Sequence, residues 1–373
     1  MKSSYDVVVI GAGPAGAACG ITLQKSGIDH CVLDKATFPR GKTCAGLVTG
    51  KALKLIRELF EAEDVDRLFC EKSETIALYR KEKKLVEAPL ARPVQLVNRR
   101  EFDNALAQRY RELGGELYEG AVIRDIDYGA NQLHLADGRV TEYKQLIFAD
   151  GALSMAHKQL KTDKRDLAFG VEAYLPAEQF PTESVDIYFD YLPNGYVWVF
   201  PHGDTVCVGL ANLYDKGTDY RGLLTAFLKE HGVTPDTSRY IGAFLPYGTV
   251  IDQKKLPPNV MLTGDAGGFA DPITGEGLYM SMQTGIYAAQ AQKTDVPKED
   301  YLNRVKRLTR IVRDGKRVQK LFFSPSIQQK LLKKVKGKNR FVSYYFDSQV
   351  DDYRFEYREM RELIRAYKNE YHK

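Results

Sequence analysis

The chain has 373 residues, 44% of them hydrophobic and 28% charged, with a formal net charge of +5. That length fits about two interlocked domains with a sizeable core, and no run approaches the roughly 20 consecutive apolar residues of a membrane span. Five cysteines (Cys19, Cys31, Cys44, Cys70 and Cys207) form no C-x-x-C pair, which argues against disulfides, a metal centre and a dithiol redox site, and leaves all but Cys44 as expected buried packing residues.

Met1–Asp6 lead directly into an apolar strand without signal-peptide features, so a cytoplasmic protein is expected. Tyr5–Ile10 is β-branched throughout, the pattern of a buried parallel strand. An Ala-rich helix over Gly13–Ser26 follows, stopped by Gly27, and a second strand, His30–Leu33, ends at Asp34. Alternation over Thr75–Val97 predicts two antiparallel strands joined at Lys81–Lys84. Arg100–Leu113 is an amphipathic helix, with Phe102, Leu106 and Tyr110 at four-residue spacing. Val122–Ile126 and Gln132–Leu135 predict a hairpin, and Gln145–Ala149 another buried strand. Leu167–Leu213 reads as short alternating strands of an antiparallel sheet. Val260–Thr263 is one more parallel strand, and a helix begins near Gly277.

From Tyr301 onward the chain is helical in pattern and carries 20 Lys and Arg against 8 Asp and Glu. The stretch 301–340 could be a solvated helix face, rest peripherally on an anionic membrane, or dock an acidic electron donor; no recognition motif accompanies the charge, so no nucleic acid is expected.

Gly11-Ala-Gly13-Pro-Ala15-Gly16 lies between a buried strand and a helix, where a dinucleotide-binding turn must lie. Gly11 permits the tight turn, Gly13 lets backbone approach a pyrophosphate, and Gly16 lets helix and strand pack closely. Asp34, with Lys35 beside it, ends the second strand where a carboxylate can accept from ribose hydroxyls. This turn alone does not separate NAD from FAD.

The segment Gly264-Asp265-Ala-Gly-Gly-Phe-Ala-Asp-Pro272-Ile-Thr-Gly275-Glu276-Gly277-Leu278 resembles the second FAD signature of the p-hydroxybenzoate hydroxylase superfamily. The resemblance implies that Asp265 holds the ribityl chain and that Pro272–Gly277 lies against the flavin ring. Arg99-Arg-Glu-Phe-Asp and Asp150-Gly-Ala-Leu-Ser also match that superfamily, although His157-Lys158 stand where an arginine commonly follows. Arg99 is otherwise an ordinary helix-start salt bridge. Val122, at the start of the predicted hairpin, is expected to contact the cofactor as well.

Within the superfamily the closest resemblance is to the geranylgeranyl reductase family, which saturates isoprenoid C=C bonds. Phe38-Pro-Arg40-Gly-Lys-Thr-Cys44-Ala45-Gly46 resembles that family's K-x-C-G-G segment, with Ala45 in place of a glycine, and Tyr196-Val-Trp198-Val-Phe200-Pro201 resembles its Y-x-W-x-F-P strand. The resemblance places Cys44 beside the flavin, where it positions substrate, relays a proton, packs, or bonds covalently to the flavin. Tyr196, Trp198 and Phe200 share one strand face, an aromatic wall for an apolar substrate or simply sheet core.

The expected architecture is α/β (α+β overall): a discontinuous Rossmann-like FAD-binding domain (1–75, 97–165, 255–300), an antiparallel-sheet substrate domain (76–96, 166–254) and a basic helical region (301–373). With one dinucleotide turn in the chain, electrons arrive by transient docking of NAD(P)H or from a protein such as ferredoxin. The rival functions are a monooxygenase or halogenase of the same fold and a flavin-binding interaction protein tethered by its basic tail.

Overall fold

A computed structural model describes residues 1–62, 64–347 and the isolated positions 362, 365 and 369. In chain order it begins with β1 (Ser4–Ile10), α1 (Pro14–Lys25), β2 (His30–Leu33), β3 (Leu47–Val48), α2 (Gly50–Phe60), β4 (Glu71–Arg80), β5 (Lys83–Leu96), α3 (Arg99–Glu112) and β6 (Leu117–Tyr118). It continues through β7 (Ile123–Asp127), β8 (Gln132–Leu135), β9 (Val140–Phe148), α4 (Met155–Gln159), β10 (Leu167–Pro176), β11 (Val185–Phe189), β12 (Gly195–His202), β13 (Thr205–Leu213), α5 (Tyr220–Glu230) and β14 (Ile241–Pro246). β15 (Val260–Leu262), α6 (Leu278–Ala291), α7 (Pro297–Arg304), α8 (Lys306–Phe322), α9 (Pro325–Val335) and α10 (Asn339–Phe346) complete it.

The first sheet has the order β6-β2-β1-β9-β8-β7, with β15 also on β9. β1 lies parallel between β2 and β9, which is why the run Val7–Ile10 needs no polar alternation: both its faces are covered. Helices α1, α2, α3 and α6 pack one face around Ile21, Phe102, Leu106 and Met280. Small residues bring α1 and α6 together so closely that a Cβ on Gly285 would lie 2.1 Å from the Ala15 carbonyl oxygen.

The second sheet has the order β14-β10-β13-β12-β11-β4-β5-β3. It departs from the all-antiparallel expectation at one seam, where β11 runs parallel to β4. No hairpin joins those two strands; the chain between them passes through the first sheet and re-enters in the same direction. The outer face packs on α5, a helix the sequence reading did not mark, around Tyr188, Leu224 and Phe227. The inner face carries Ile76, Leu78, Trp198 and Phe200.

The basic C-terminal helices are not free amphipathic rods. Tyr301, Leu308, Ile311 and Val312 complete the helical layer of the first sheet, and Leu332 and Val342 join the inner face of the second. Burying side chains of this size stabilises by about 1.5–3 kcal/mol each, so the apolar stripe, rather than the charge, places the tail. No helix among the described residues is long and apolar enough to cross a membrane. Of the four cysteines expected to be buried, Cys19, Cys31 and Cys207 are. Cys70 is exposed, because it lies in the turn before β4, where its Sγ is 3.3 Å from His202 Nδ1.

Candidate active site

At the first glycine turn, Gly11 adopts φ +98°, and a Cβ there would lie 2.5 Å from the Ala149 carbonyl oxygen. A Cβ on Gly16 would lie 1.7 Å from the Gly11 carbonyl oxygen, so only glycine lets α1 start against β1. Gly13 opens instead towards the cavity, where a Cβ would meet only the Arg40 guanidinium, at 3.2 Å. The Asp34 carboxylate accepts from the backbone N–H of Ala12 at 2.7 Å and of Ala36 at 2.8 Å. It therefore shapes the turn besides facing the cavity.

The second glycine segment follows β15. Asp271 Oδ1 accepts from the N–H groups of Ile273 and Thr274, both at 2.9 Å, and Gly275 turns at φ +73°. Three contacts outside the segment fix its position. The Tyr196 hydroxyl donates to the Thr274 carbonyl at 2.5 Å. Glu276 accepts from Thr49 Oγ1 at 2.6 Å and pairs with Lys51 Nζ at 2.6 Å. From the tail, Gln319 donates to the Pro272 carbonyl.

Both turns open into one cavity of about 1190 Å³, larger than the ~300–1,000 Å³ of most small-molecule sites. Its walls bring together Gly11, Gly13, Ala15, Asp34, Lys35, Arg40, Cys44, Ala45, Arg99, Val122, Asp150, Asp265, Gly275, Glu276, Gly277 and Leu278. Gly16, Gly264 and Pro272 stand one layer behind that wall and act on it only through backbone shape. Tyr196, Trp198 and Phe200 line the same cavity; Pro201 does not, because strand alternation turns it to the opposite face, where it borders a separate groove with Glu71 and Phe180.

These residues suit a flavin nucleotide. Asp150 keeps a buried Oδ1 with no hydrogen-bond partner, and its other oxygen accepts from the Met155 N–H at 2.9 Å. The Asp265 carboxyl has its pKa pushed up by burial, against the pull of Lys42 and Arg99. Arg99 is buried and paired with Asp103 at 2.8 Å, and Arg40 approaches the same carboxylate at 3.3 Å. The N-terminus of α1 presents free N–H groups and partial positive charge beside this acid-and-arginine frame.

Beyond the aromatic strand the cavity is walled by apolar side chains of β4, β5 and β11, and by Phe322, Leu332, Val342 and Phe346 of the tail. The sequence reading did not place the tail there; its signal was the interleaving of apolar residues through 321–346. Glu172 was also missed. It stands among apolar neighbours in β10, is 0% exposed, and accepts the Cys44 N–H at 2.9 Å. Burial raises its pKa to about 7. A lone acid inside the otherwise apolar run Leu167–Leu175 was the available signal.

Residues 5–183 match the pyridine nucleotide-disulphide oxidoreductase family. An uncharacterized protein of Methanosarcina barkeri is 30% identical over 297 residues, 78% of this chain and 75% of its own. The geranylgeranyl diphosphate reductase of Rhodobacter capsulatus is 29% identical over 302 residues, 77% and 74% of the two chains. A 1H-pyrrole-2-carbonyl-[peptidyl-carrier protein] brominase of Pseudoalteromonas luteoviolacea is 29% identical over 328 residues, 80% and 79% of the two chains. Among solved structures, a geranylgeranyl bacteriochlorophyll reductase-like protein of Thermoplasma acidophilum superposes with TM-score 0.72 at 19% identity, covering 91% of this chain and 92% of its own. The glycine turns, the cavity they share and these relatives agree: the chain belongs to the geranylgeranyl reductase family of FAD-dependent oxidoreductases.

Proposed function

We propose that this oxidoreductase saturates C=C bonds of an isoprenoid or similarly apolar chain. One observation carries the reading: the cavity that begins at the two glycine turns runs without a break into an apolar chamber behind Tyr196, Trp198 and Phe200. Such a chamber can bury a polyene without leaving polar groups unmatched. The chemistry FAD supplies when bound is hydride delivery; the names of the Rhodobacter and Thermoplasma relatives point the same way.

In this reading the unit formed by 1–75, 97–165 and 255–300 carries the cofactor. Gly11, Gly13 and the α1 N-terminus take the pyrophosphate, Asp34 and Lys35 flank the adenosine ribose, Asp265 faces the ribityl chain, and Gly275–Leu278 lie against the ring. The unit formed by 76–96 and 166–254 takes the substrate, and Cys44 positions it. NAD(P)H or a ferredoxin-like protein is the proposed donor. The tail contributes a further proposal: Leu321 and Leu331 line the cavity yet are 59% and 40% exposed beside basic residues, an arrangement suited to a mouth resting on an anionic lipid surface.

The test is anaerobic: the purified FAD-loaded protein is reduced, then titrated with geranylgeranyl diphosphate, a geranylgeranylated lipid and a pyrrole- or phenol-type acceptor. Reoxidation of the flavin by an isoprenoid, with the saturated product found by mass spectrometry, is expected. A flavin that stays reduced until oxygen is admitted, and then oxygenates or, with bromide, halogenates an aromatic ring, would overturn the reading in favour of the chemistry of the brominase relative.

A further inference from the structure

Saturating an alkene requires a hydride at one carbon and a proton at the other, and the proton needs a source in the cavity wall. The inner wall of the second sheet contains one acid suited to it. Glu172 lies on β10 opposite Gly209 of β13, which in turn lies opposite Trp198 of β12. A Cβ on Gly209 would sit 2.4 Å from Trp198 Cζ2 and 2.7 Å from Glu172 Cβ, so the missing side chain lets the indole and the Glu172 side chain share the space above one residue. Both line the cavity, as does Cys44.

The carboxyl is held at two points. Oε1 accepts the Cys44 backbone N–H at 2.9 Å, and Oε2 faces the Cys207 thiol at 3.8 Å. It forms no ion pair with any described residue, although Lys42 and Arg99 act on it from a distance. A buried, unpaired acid costs stability unless it is neutral, so this site favours the protonated carboxyl.

We propose that Glu172 is the proton donor of the reaction: its carboxylic acid, set in the cavity wall beside Trp198, protonates one alkene carbon as the other receives the hydride. The inference rests on the C=C-reductase reading. The π bond breaks and two C–H bonds form; two electrons arrive with the hydride from reduced FAD, which is thereby oxidised. Glu172 is left as carboxylate and regains its proton from solvent. The Cys44 N–H stabilises that carboxylate, so the loop beneath the substrate and the acid are coupled through one hydrogen bond.

The groups that face this carboxyl are Cys44 and Lys42 from the 39–46 loop, Cys207 from β13, Arg99 from α3 and Tyr174 from its own strand. With its pKa raised to about 7 by burial, Glu172 is mostly protonated below neutrality. Single-turnover reoxidation of the reduced protein by the isoprenoid should therefore slow as pH rises through about 7.

Glu172→Gln should lower that rate by about 10²–10⁴-fold and flatten the pH profile, while FAD content and the visible spectrum stay unchanged. Glu172→Asp should retain the pH limb at a reduced rate. Independently of turnover, infrared spectroscopy of the wild type should show a protonated-carboxyl stretch that titrates near neutral pH and is absent from Glu172→Gln. A wild type that never saturates an isoprenoid sinks the reading and this proposal together. A wild type that does, alongside a Glu172→Gln protein of equal rate and pH profile, overturns the proposal alone. So does a wild-type spectrum with no such band, even if the glutamine protein fails to fold.

Discussion

At the residue scale, Cys44 and Glu172 are joined by a backbone hydrogen bond, and this separates what their side chains can be expected to do. Cys44→Ser keeps that N–H, so FAD uptake should be unchanged and turnover should fall by about tenfold or less; a loss of about a thousandfold would move the proton-transfer role to the thiol. For Glu172 the sign of the pH effect follows from linkage. Its carboxyl goes from an ordinary value of 4.5 to about 7 on folding, so the folded state binds the extra proton and is favoured at the acid end. Stability from this group then falls as pH rises from 4.5 through about 7. Glu172→Gln removes the dependence. Comparing the two proteins by urea unfolding at pH 5 and pH 8 should show the variant gaining on the order of 3 kcal/mol relative to wild type over that window.

At the scale of elements, the site depends on how turns are tied to helices. Gly16 is where α1 meets the β1 turn, with no space for a methyl group. Gly16→Ala should leave little FAD bound in the purified protein, since the helix N-terminus must move to admit the Cβ; full FAD occupancy in that variant would contradict the packing argument. The Lys51–Glu276 pair ties the 271–277 turn to α2, with both side chains under 10% exposed. Lys51→Met takes this cation away from the buried Glu276 carboxylate, at an expected cost of about 3–5 kcal/mol. Adding Glu276→Gln should recover most of the loss in a thermal-unfolding series, because the buried charge that Lys51 balanced is then gone. Gln319 shows the same principle at longer range, since a helix of the tail supports a turn almost fifty residues earlier.

At the scale of the molecule, the tail closes a chamber that two sheets leave open. Leu332 and Val342 belong to the same apolar cluster as Trp198 and Phe200, so the apolar wall of the cavity is assembled from three distant stretches of chain. Replacing both Leu332 and Val342 by Asp should leave FAD content unaltered, raise binding of a hydrophobic dye, and raise KM for a long isoprenoid about tenfold or more. Unchanged KM would place the substrate elsewhere. The basic residues of 301–340 predict a separate property: sedimentation with anionic but not zwitterionic vesicles, lost at high salt as the Debye length shrinks.

The first sheet was legible in the sequence because its signals are local. A β-branched run covered on both faces, glycines that a turn requires, and an acid at the end of β2 each leave a mark within a few residues, and so do the aromatics of β12. Two features were not legible, since each is decided by residues far apart in the chain, and a third, Pro201, went against a local signal. The parallel seam between β11 and β4 depends on where the chain re-enters the sheet. Pro201 follows the aromatic motif directly but faces the other way, because a pleat alternates whatever the motif suggests. Glu172 stands out locally only as a lone acid in an apolar run, which does not say whether it is buried. Only the Cys44 loop laid across β10, and the missing side chain at Gly209, turn it into a buried acid at the cavity wall. Local sequence determined the glycine turns; the desolvation and contacts that shape the chamber came from tertiary packing.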